Sequence, residues 1–571
     1  MADTATQRWT MVVKKVVKKR SFDSRGGFGG GSSREKSSLR PGLVEKKPPC
    51  TDTCPSGNRI REFLTAISLA EHRGHSLEEG FRAAWDILTD TSPFPAVCGR
   101  VCPAPCEQQC NRREMEGAVS VNKVERAIGD YGIEHGLALR RVTDEQRPQR
   151  IAVVGAGPSG LSCAYQLARR GYQVDVFEAN DKPGGMLRYG VPPYLRSEAV
   201  LDAEIQRILD LGVKLHCGVK VGRDLTLEEL KEGHDAVYVA LGGQQGANRG
   251  IDGESVPNVF TGADFLSRMQ RGEELELGTD VVALGGGGGD TALDAARICR
   301  QLGANVTILY RRAVKGRGVL EKLEEAVRDG VRVEFLAVPV RFTKGTDGLV
   351  KAVVAIRMGL DEPDDSGRRR PVPIPGSEFE IPVTAVVSAV SQPRDFRGFE
   401  EIVDGGQWVS VDGYGHTRAD SVWAGGDVTR IGLVTDAVGQ GRRAAEAIER
   451  GFLGTEPHVD PRKVIRTDRM HLSHYQPQER QEPATLGGSE GMSDVESQVD
   501  PGLTWDQAIL ETKRCMSCGY CMDCEKCWMY CQDGGFERPA TRGGLYTLKL
   551  GNCTGCEKCA SICPCGFIEM T

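Results

Sequence analysis

Several features are missing from this chain of 571 residues, and each absence removes a class of function. No apolar run approaches the ~18–20 residues of a membrane-spanning helix. The charged start lacks the apolar core of a secretory signal, which predicts a cytoplasmic protein. A formal charge of −6 is ordinary for this length and argues against general nucleic-acid binding. No acid–base or nucleophile constellation stands out. The length exceeds one hydrophobic core and predicts three or four domains.

Cysteine, by contrast, is abundant and unevenly placed, with 20 in the chain. In a cytosolic context such clusters signal metal rather than disulfides. Cys50, Cys54, Cys98, Cys102, Cys106 and Cys110 lie in a segment of helical pattern, where Phe63, Ile67 and Ala70 fit one apolar face and Phe81, Ala84, Trp85 and Leu88 another. Thiolates at such short spacing suit an iron–sulfur cluster, with structural zinc as the alternative. A denser set follows near the carboxyl end. Cys553, Cys556, Cys559 and Cys563, then Pro564, have bacterial-ferredoxin spacing, and Cys521, Cys524, Cys527 and Cys531 repeat it. In such paired sets the fourth cysteine serves the other cluster. One [4Fe–4S] cluster is therefore expected on Cys521, Cys524, Cys527 and Cys563, and another on Cys553, Cys556, Cys559 and Cys531. Cys515, Cys518 and Cys565 are left over. Cys163, Cys217 and Cys299 stand alone and read as buried apolar residues.

Between the cysteine-rich ends lies a dinucleotide fingerprint. Ile151 to Val154 read as a buried parallel strand, followed by Gly155, Gly157 and Gly160 and then by Leu161, Ala164, Leu167 and Ala168 at helical spacing. Glu178 ends the next strand at about the ~20 residues expected for a carboxylate that grips a ribose hydroxyl. The glycines let the backbone approach a pyrophosphate held at the helix N-terminus. A second unit begins near Asp280. Gly287, Gly289 and Ala292 match the variant fingerprint, with Asp290 opening the helix. Its next strand ends at Arg311 and Arg312 where an acid would favour NAD; two guanidiniums suit the 2′-phosphate of NADP, with NADH as the other candidate.

Resemblance sharpens these readings. Gly184, Gly185, Leu187 and Arg188 resemble the second flavin-contacting motif of two-dinucleotide flavoproteins, and the run Val422 to Asp427 resembles their closing motif, in which the acid holds the ribityl chain of FAD. The helix opened by Val434 to Gly441, including Ala437, brings a positive dipole end to the flavin. Cys50, Cys54 and Pro55, the Pro93-Phe94-Pro95 turn, and Cys98 to Glu107 resemble the amino-terminal domain of the glutamate synthase small-subunit family, over residues 45–455. Dihydropyrimidine dehydrogenase and bifurcating transhydrogenases share that domain. The resemblance implies two [4Fe–4S] clusters there, one with a Gln or Glu ligand. By position this assigns one cluster to Cys54, Cys102, Cys106 and Glu125. For the other, the family has two cysteines where this chain has Gly42 and Glu45. Cys50 and Cys110 are then half a ligand set, with Cys98 an uncertain extra; the cluster is either lost, which is the expectation, or completed by other residues.

The expected architecture is multidomain. Residues 1–48 form a basic Gly/Ser-rich tail; 49–147 a helical [4Fe–4S] domain; 148–275 with 385–455 an FAD-binding Rossmann-like α/β domain; 276–384 an NAD(P)H-binding domain of the same kind inserted in it; 456–512 a linker; and 513–571 an α+β, bacterial-ferredoxin-like 2[4Fe–4S] domain. Nicotinamide moves two electrons as hydride, clusters move one, and flavin converts between them. The parts therefore predict an NAD(P)H:acceptor oxidoreductase that exchanges electrons with a protein partner. The carboxyl-terminal module resembles that of flavoproteins serving dissimilatory sulfite reductase or 2-oxoacid:acceptor oxidoreductases. A glutamate synthase small subunit, and a relay subunit with poor NAD(P)H binding, are the alternatives.

Overall fold

Two parallel sheets carry the centre of the molecule. The computed structural model describes residues 36–571 apart from 196, 244–245, 247–249, 286–289, 312–316, 364–368, 390–394, 404, 406–407, 458 and 485–499. The first sheet has five strands in the spatial order Val422–Ala424, Ala236–Val239, Arg150–Val154, Gln173–Glu178 and Lys214–Cys217. Every neighbouring pair is parallel. Its central strand is apolar on both faces because both are covered. Ile151 and Val153 pack beneath the helix Pro158–Ala168, while Ala152 and Val154 join the core of Phe399 and Val428 on the other side. This is the Rossmann-like arrangement of a sheet buried by connections on both faces.

The second sheet has five strands in the order Val259–Thr261, Ala385–Ala389, Asp280–Gly285, Asn305–Tyr310 and Arg332–Phe335, again all parallel. In sequence it falls between Ala236–Val239 and Val422–Ala424 of the first sheet. An antiparallel sheet of three strands, Ala337–Lys344, Val350–Pro363 and Arg369–Pro382, covers one of its faces.

The amino-terminal region is helical. Ile60–Ser68, Leu77–Thr89, Pro95–Val101 and Val121–Glu134 bury Phe63, Ile67, Phe81, Ala84, Trp85 and Leu88. These side chains share one continuous core with the first sheet, so the helical region and the sheet pack as one body. Two glycines make the critical contact. A Cβ on Gly99 would lie 2.4 Å from the Arg126 backbone, and one on Gly129 would lie 2.2 Å from the Ala96 nitrogen. Only bare backbone allows these two helices to approach so closely. The N-terminus of Pro95–Val101 is closed by Glu204, a buried carboxylate that accepts from the Ala96 and Val97 N–H groups at 2.7 and 3.1 Å.

Two sequence expectations change on inspection of the ends. Residues 36–48 were assigned to a basic tail, but Pro41–Leu43 pairs antiparallel with Ile568–Met570, and Lys36 donates to the Thr554 carbonyl. The exposed edge of the carboxyl-terminal strand recruits them. Cys217 is exposed rather than buried, because it ends the edge strand of its sheet; Cys163 and Cys299 are buried. Much of the polar stretch 456–512 lies against the helical region. The helix Trp505–Thr512 packs there, with the Trp505 ring 5.2 Å from Phe81 and 5.7 Å from Tyr131.

Glu204→Ala leaves two buried N–H groups unpaired, and each such group costs about 1–3 kcal/mol. Chemical denaturation should therefore show a loss of roughly 2–6 kcal/mol. A change below about 0.5 kcal/mol would mean that solvent replaces the carboxylate, as at an exposed helix cap.

Candidate functional site: a dinucleotide cleft beside clustered cysteines

The cleft forms where the central strand of the first sheet ends. Gly155 follows Val154 with φ of +100°, and a Cβ there would lie 2.4 Å from the Ala240 carbonyl oxygen. Gly157 caps the helix Pro158–Ala168, whose first residue is proline. Glu178 ends the neighbouring strand, and its carboxylate accepts from the N–H groups of Ala156 at 2.8 Å and Asn180 at 2.9 Å. Gly155, Gly157, Glu178, Gly185, Asp427 and Ala437 line one cavity of ≈370 Å³. That volume is within the ~300–1,000 Å³ range of cofactor sites. Gly160 lies behind it, pressed on the Gly155 carbonyl. Arg188 is not part of the lining. Its guanidinium donates to Glu198 at 2.6 Å and pairs with Asp202, bracing the loop from outside. Lys220, Arg271, Asp395 and Arg397 also line the cavity. They belong to no local motif, and pattern reading missed them.

The second glycine-rich turn offers less detail. Gly287, Gly289 and Arg312 lie outside the described residues, and Asp290 begins the helix Asp290–Gln301. Arg311 follows the strand Asn305–Tyr310 and is half-buried, with its Nε enclosed and without a hydrogen-bond acceptor. A buried guanidinium nitrogen lacking an acceptor fits an absent phosphate.

Four groups from the helical region gather close to the flank of the cleft. Cys54 and Cys102 end the helices Pro49–Thr53 and Pro95–Val101, Cys106 lies in Pro105–Gln108, and Glu125 projects from Val121–Glu134. Burial pushes the Cys54 thiol up to about 11, with the Glu125 charge adding to it. Burial and Glu125 likewise push Cys102 up to about 12. Burial lifts the Glu125 carboxyl to about 8, against a hydrogen bond of 3.1 Å from Asn58 Nδ2. The Cys106 thiol is raised by burial and then by Cys54. Acidic groups crowded into a dry space in this way are what metal coordination neutralises. Cys98 belongs to the same neighbourhood: burial raises its thiol, with Glu125 and Cys102 adding to it.

The helix Val434–Leu453 joins this group to the cleft. Ala437 lines the cavity, while the Thr435 hydroxyl is 3.8 Å from Cys102 Sγ. Ser56 donates to the Thr435 carbonyl at 3.0 Å. A Cβ on Gly439 would lie 2.1 Å from the Pro55 carbonyl oxygen, so the helix rests directly on the Cys54 loop. One helix turn therefore separates the cleft from the cysteines.

The remaining cysteines surround small cavities. Cys521, Cys524, Cys527 and Cys563 line one of ≈30 Å³, together with Cys565. Cys531, Cys553, Cys556 and Cys559 line another of ≈10 Å³. The two loops are built alike: Glu525 and Glu557 adopt φ of +60° and +61° before the short helices Lys526–Met529 and Lys558–Ile562. A third cavity, of ≈20 Å³, is lined by Cys50, Cys110, Cys515 and Cys518. Cys50 and Cys110, half a ligand set within their own region, are joined here by Cys515 and Cys518 from the other end of the chain. Among the described residues, no three His, Cys, Asp or Glu side chains converge as ligands of a single metal ion would.

Comparison with known proteins gives a consistent set of relatives. Residues 149–441 match the pyridine nucleotide-disulphide oxidoreductase family, and residues 42–137 match the dihydropyrimidine dehydrogenase domain II 4Fe-4S cluster family. The chain is 33% identical over 514 residues to the NADPH-Fe(3+) oxidoreductase subunit beta of Geobacter sulfurreducens, covering 82% of this chain and 75% of that protein. It is 32% identical over 511 residues to the NADP(+)-dependent formate dehydrogenase subunit beta of Moorella thermoacetica, covering 82% and 70%. It is 34% identical over 425 residues to the glutamate synthase (NADPH) small chain of Azospirillum brasilense, covering 70% and 86%.

Gly160→Ala tests the cleft's framework. The new Cβ would lie 1.9 Å from the Gly155 carbonyl oxygen. Overpacking of this kind costs about 1–3 kcal/mol. Thermal unfolding should shift down by several degrees, whereas Gly233→Ala, with open space around it, should change it little. Equal effects would refute a tight glycine contact at the fingerprint.

Proposed function

We propose, from the premise that this chain belongs to the pyridine nucleotide-disulphide oxidoreductase family and within it to the glutamate synthase small-subunit-like NAD(P)H-dependent iron–sulfur flavoproteins, that it is the electron-transfer subunit of an NAD(P)H:acceptor oxidoreductase. The cleft lined by Gly155, Gly157, Glu178, Asp427 and Ala437 would hold FAD, whose chemistry would convert the hydride of NAD(P)H into single electrons for [4Fe–4S] clusters. The observation that carries this reading is the shared helix Val434–Leu453, with Ala437 in the cleft and Thr435 against Cys102.

The residue roles follow from chemistry at each place. Gly155 and Gly157 leave room for a pyrophosphate, Glu178 offers a carboxylate to a ribose, and Asp427 offers one to the ribityl chain. Gly160 supports the turn, and Gly185, Ala437 and the following helix complete the pocket. Cys54, Cys102, Cys106 and Glu125 hold the cluster beside the flavin. Cys521, Cys524, Cys527 and Cys563 hold one carboxyl-terminal cluster, and Cys553, Cys556, Cys559 and Cys531 the other. Residues 276–384 act as a nicotinamide domain inserted into the flavin domain, and 513–571 as a ferredoxin-like module. Gly287, Gly289 and Asp290 form the second dinucleotide turn, with Arg311 and Arg312 reading a 2′-phosphate.

The partner is a separate redox enzyme, as the subunit names of the Geobacter and Moorella relatives suggest. A dissimilatory sulfite reductase or a 2-oxoacid:acceptor oxidoreductase suits the carboxyl-terminal module.

NADPH should bleach the flavin at least as fast as NADH in stopped flow. Changing Arg311 and Arg312 together to Ala should weaken NADPH binding about tenfold or more, since a hydrogen bond to a charged group is worth about 1.5–3 kcal/mol. NADH should change less than about twofold, within the ±0.5 kcal/mol of a neutral substitution. Equal losses would end the 2′-phosphate assignment. Absence of bleaching by either nucleotide would favour a relay subunit.

Glu125→Ala should leave one iron labile and give a [3Fe–4S] EPR signal on oxidation, with slower reduction of a one-electron acceptor and intact flavin bleaching. Glu125→Cys should restore the iron and shift the midpoint potential, because ligand identity tunes it. An unchanged spectrum and potential in Glu125→Ala would remove Glu125 from the ligand set.

A further inference from the structure

Cys50, Cys110, Cys515 and Cys518 come from opposite ends of the chain. Cys50 lies in the helix Pro49–Thr53, and Cys110 precedes the turn Asn111–Glu114. Cys515 and Cys518 follow the helix Trp505–Thr512. All four line one cavity, whose remaining walls include the apolar side chains of Leu64, Val119 and Val121. Cys50 is half-buried, and Cys110, Cys518 and Cys515 are the thiols close enough to act on its own. Two features frame the space. Asn111 Nδ2 donates toward Cys518 Sγ at 3.5 Å, and Arg61 and Arg112, each ion-paired to a glutamate, are also in the lining. Four thiols and an amide donor around a void suit a sulfur-ligated group.

Size and arrangement narrow its identity. The cavity of ≈20 Å³ lies between the ≈30 and ≈10 Å³ cavities of the two cysteine quartets with ferredoxin spacing. A tetrahedral zinc needs its sulfurs at ~2.3 Å from one point. No described trio of His, Cys, Asp or Glu is gathered so tightly. The geometry points to a further [4Fe–4S] cluster, ligated by Cys50 and Cys110 from the amino-terminal region and by Cys515 and Cys518 from the carboxyl-terminal region.

The placement of Cys515 and Cys518 is secured independently of any metal. Arg514 is buried and donates to the carbonyls of Ala118 at 2.8 Å and Gly117 at 2.9 Å, and to Glu511 at 2.6 Å. Glu511 in turn accepts from the N–H groups of Ser120 at 2.6 Å and Gln481 at 2.8 Å. Arg112 donates to the Arg514 carbonyl and Arg61 to the Cys518 carbonyl, both at 3.1 Å. The segment is thus pinned to the loop before Glu125.

The site also fills a gap in the electron path, and this part rests on the function proposed above. On one side, Cys106 has both the Cys54 and the Cys50 thiol near it. On the other, Tyr475 lies among Cys565, Cys518, Cys515 and Cys563, and donates to the Met516 carbonyl at 2.8 Å. A cluster held by these four cysteines would stand between the Cys54 side and the Cys521 side, where it would supply one-electron relay. Two such passages carry the pair released by one NAD(P)H to two one-electron equivalents of the partner acceptor.

The test is metal analysis of the full-length protein, reconstituted without oxygen. Iron and acid-labile sulfide should each be about sixteen per chain, from four clusters of four. Iron near twelve, or near twelve with one zinc, overturns the proposal. Cys515→Ser with Cys518→Ser, and separately Cys50→Ser with Cys110→Ser, should each lose about four irons. Retention of all iron in either pair overturns it. Asn111→Leu provides a probe that keeps every cysteine: iron should stay near sixteen, and one cluster's midpoint potential should fall as a donor to its sulfur is lost. Four unmoved potentials overturn the assignment. Failure of NADPH to bleach the flavin leaves the iron count intact and strikes only the proposed path.

Discussion

The backbone contact between the helices Pro95–Val101 and Val121–Glu134 governs the amino-terminal half. Gly99 and Gly129 remove the side chains that would separate them, and Glu204 satisfies the buried N–H groups that the approach leaves open. Cys102 ends one of these helices and Glu125 projects from the other. Their meeting therefore depends on two glycines and on a carboxylate from a third helix, Glu198–Leu209. Desolvation would oppose gathering these acidic groups without a cation or metal to compensate. The packing energy of the surrounding apolar core supports that arrangement, and the core continues without a break into the sheet that forms the cleft.

This continuity has a functional consequence. A flavin site and a cluster site on separately moving domains would exchange electrons only when the domains met. Here the first turns of the helix Val434–Leu453 touch the cleft and Cys102 at once, so under the proposed assignment the two sites share one rigid element. Rigid secondary structure positions functional groups more reliably than loops do. The chain thereby joins two-electron chemistry at the cleft to one-electron chemistry in the cysteine-rich region, as expected for an iron–sulfur flavoprotein oxidoreductase.

The carboxyl-terminal region is attached by buried polar contacts as well as by the apolar packing of Trp505 and Met516. Arg514 and Glu511 are fully buried, yet each hydrogen-bonds to backbone groups as well as to the other. Removing one partner from such a pair costs about 3–5 kcal/mol, because the other is left charged and dry. Buried ion pairs are poor sources of net stability. A register shift by one residue would misplace Cys515 and Cys518. The pairing of Pro41–Leu43 with Ile568–Met570 adds a second tie between the two ends.

The sequence by itself determined the local chemistry. The strand, Gly155, Gly157 and Glu178 sit within one strand–helix–strand unit, so their grouping needs no distant partner. Cysteines at the spacing of Cys553, Cys556 and Cys559 share one loop and line one cavity for the same reason. The alternation of the two parallel sheets was legible because buried strands read as short β-branched runs. Tertiary structure alone decided what meets across the chain. Asp427 and Ala437 face Gly155 only because Val422–Ala424 returns to the first sheet. Arg188, read as a flavin contact, turns away to Glu198 and Asp202, since those acids stand on a helix that its motif does not include. Cys50 and Cys110 find Cys515 and Cys518 through the buried Arg514 network, whose partners carry no periodic signal. A spacing rule sees ligands that share a loop; it is blind to ligands that only a folded core brings together.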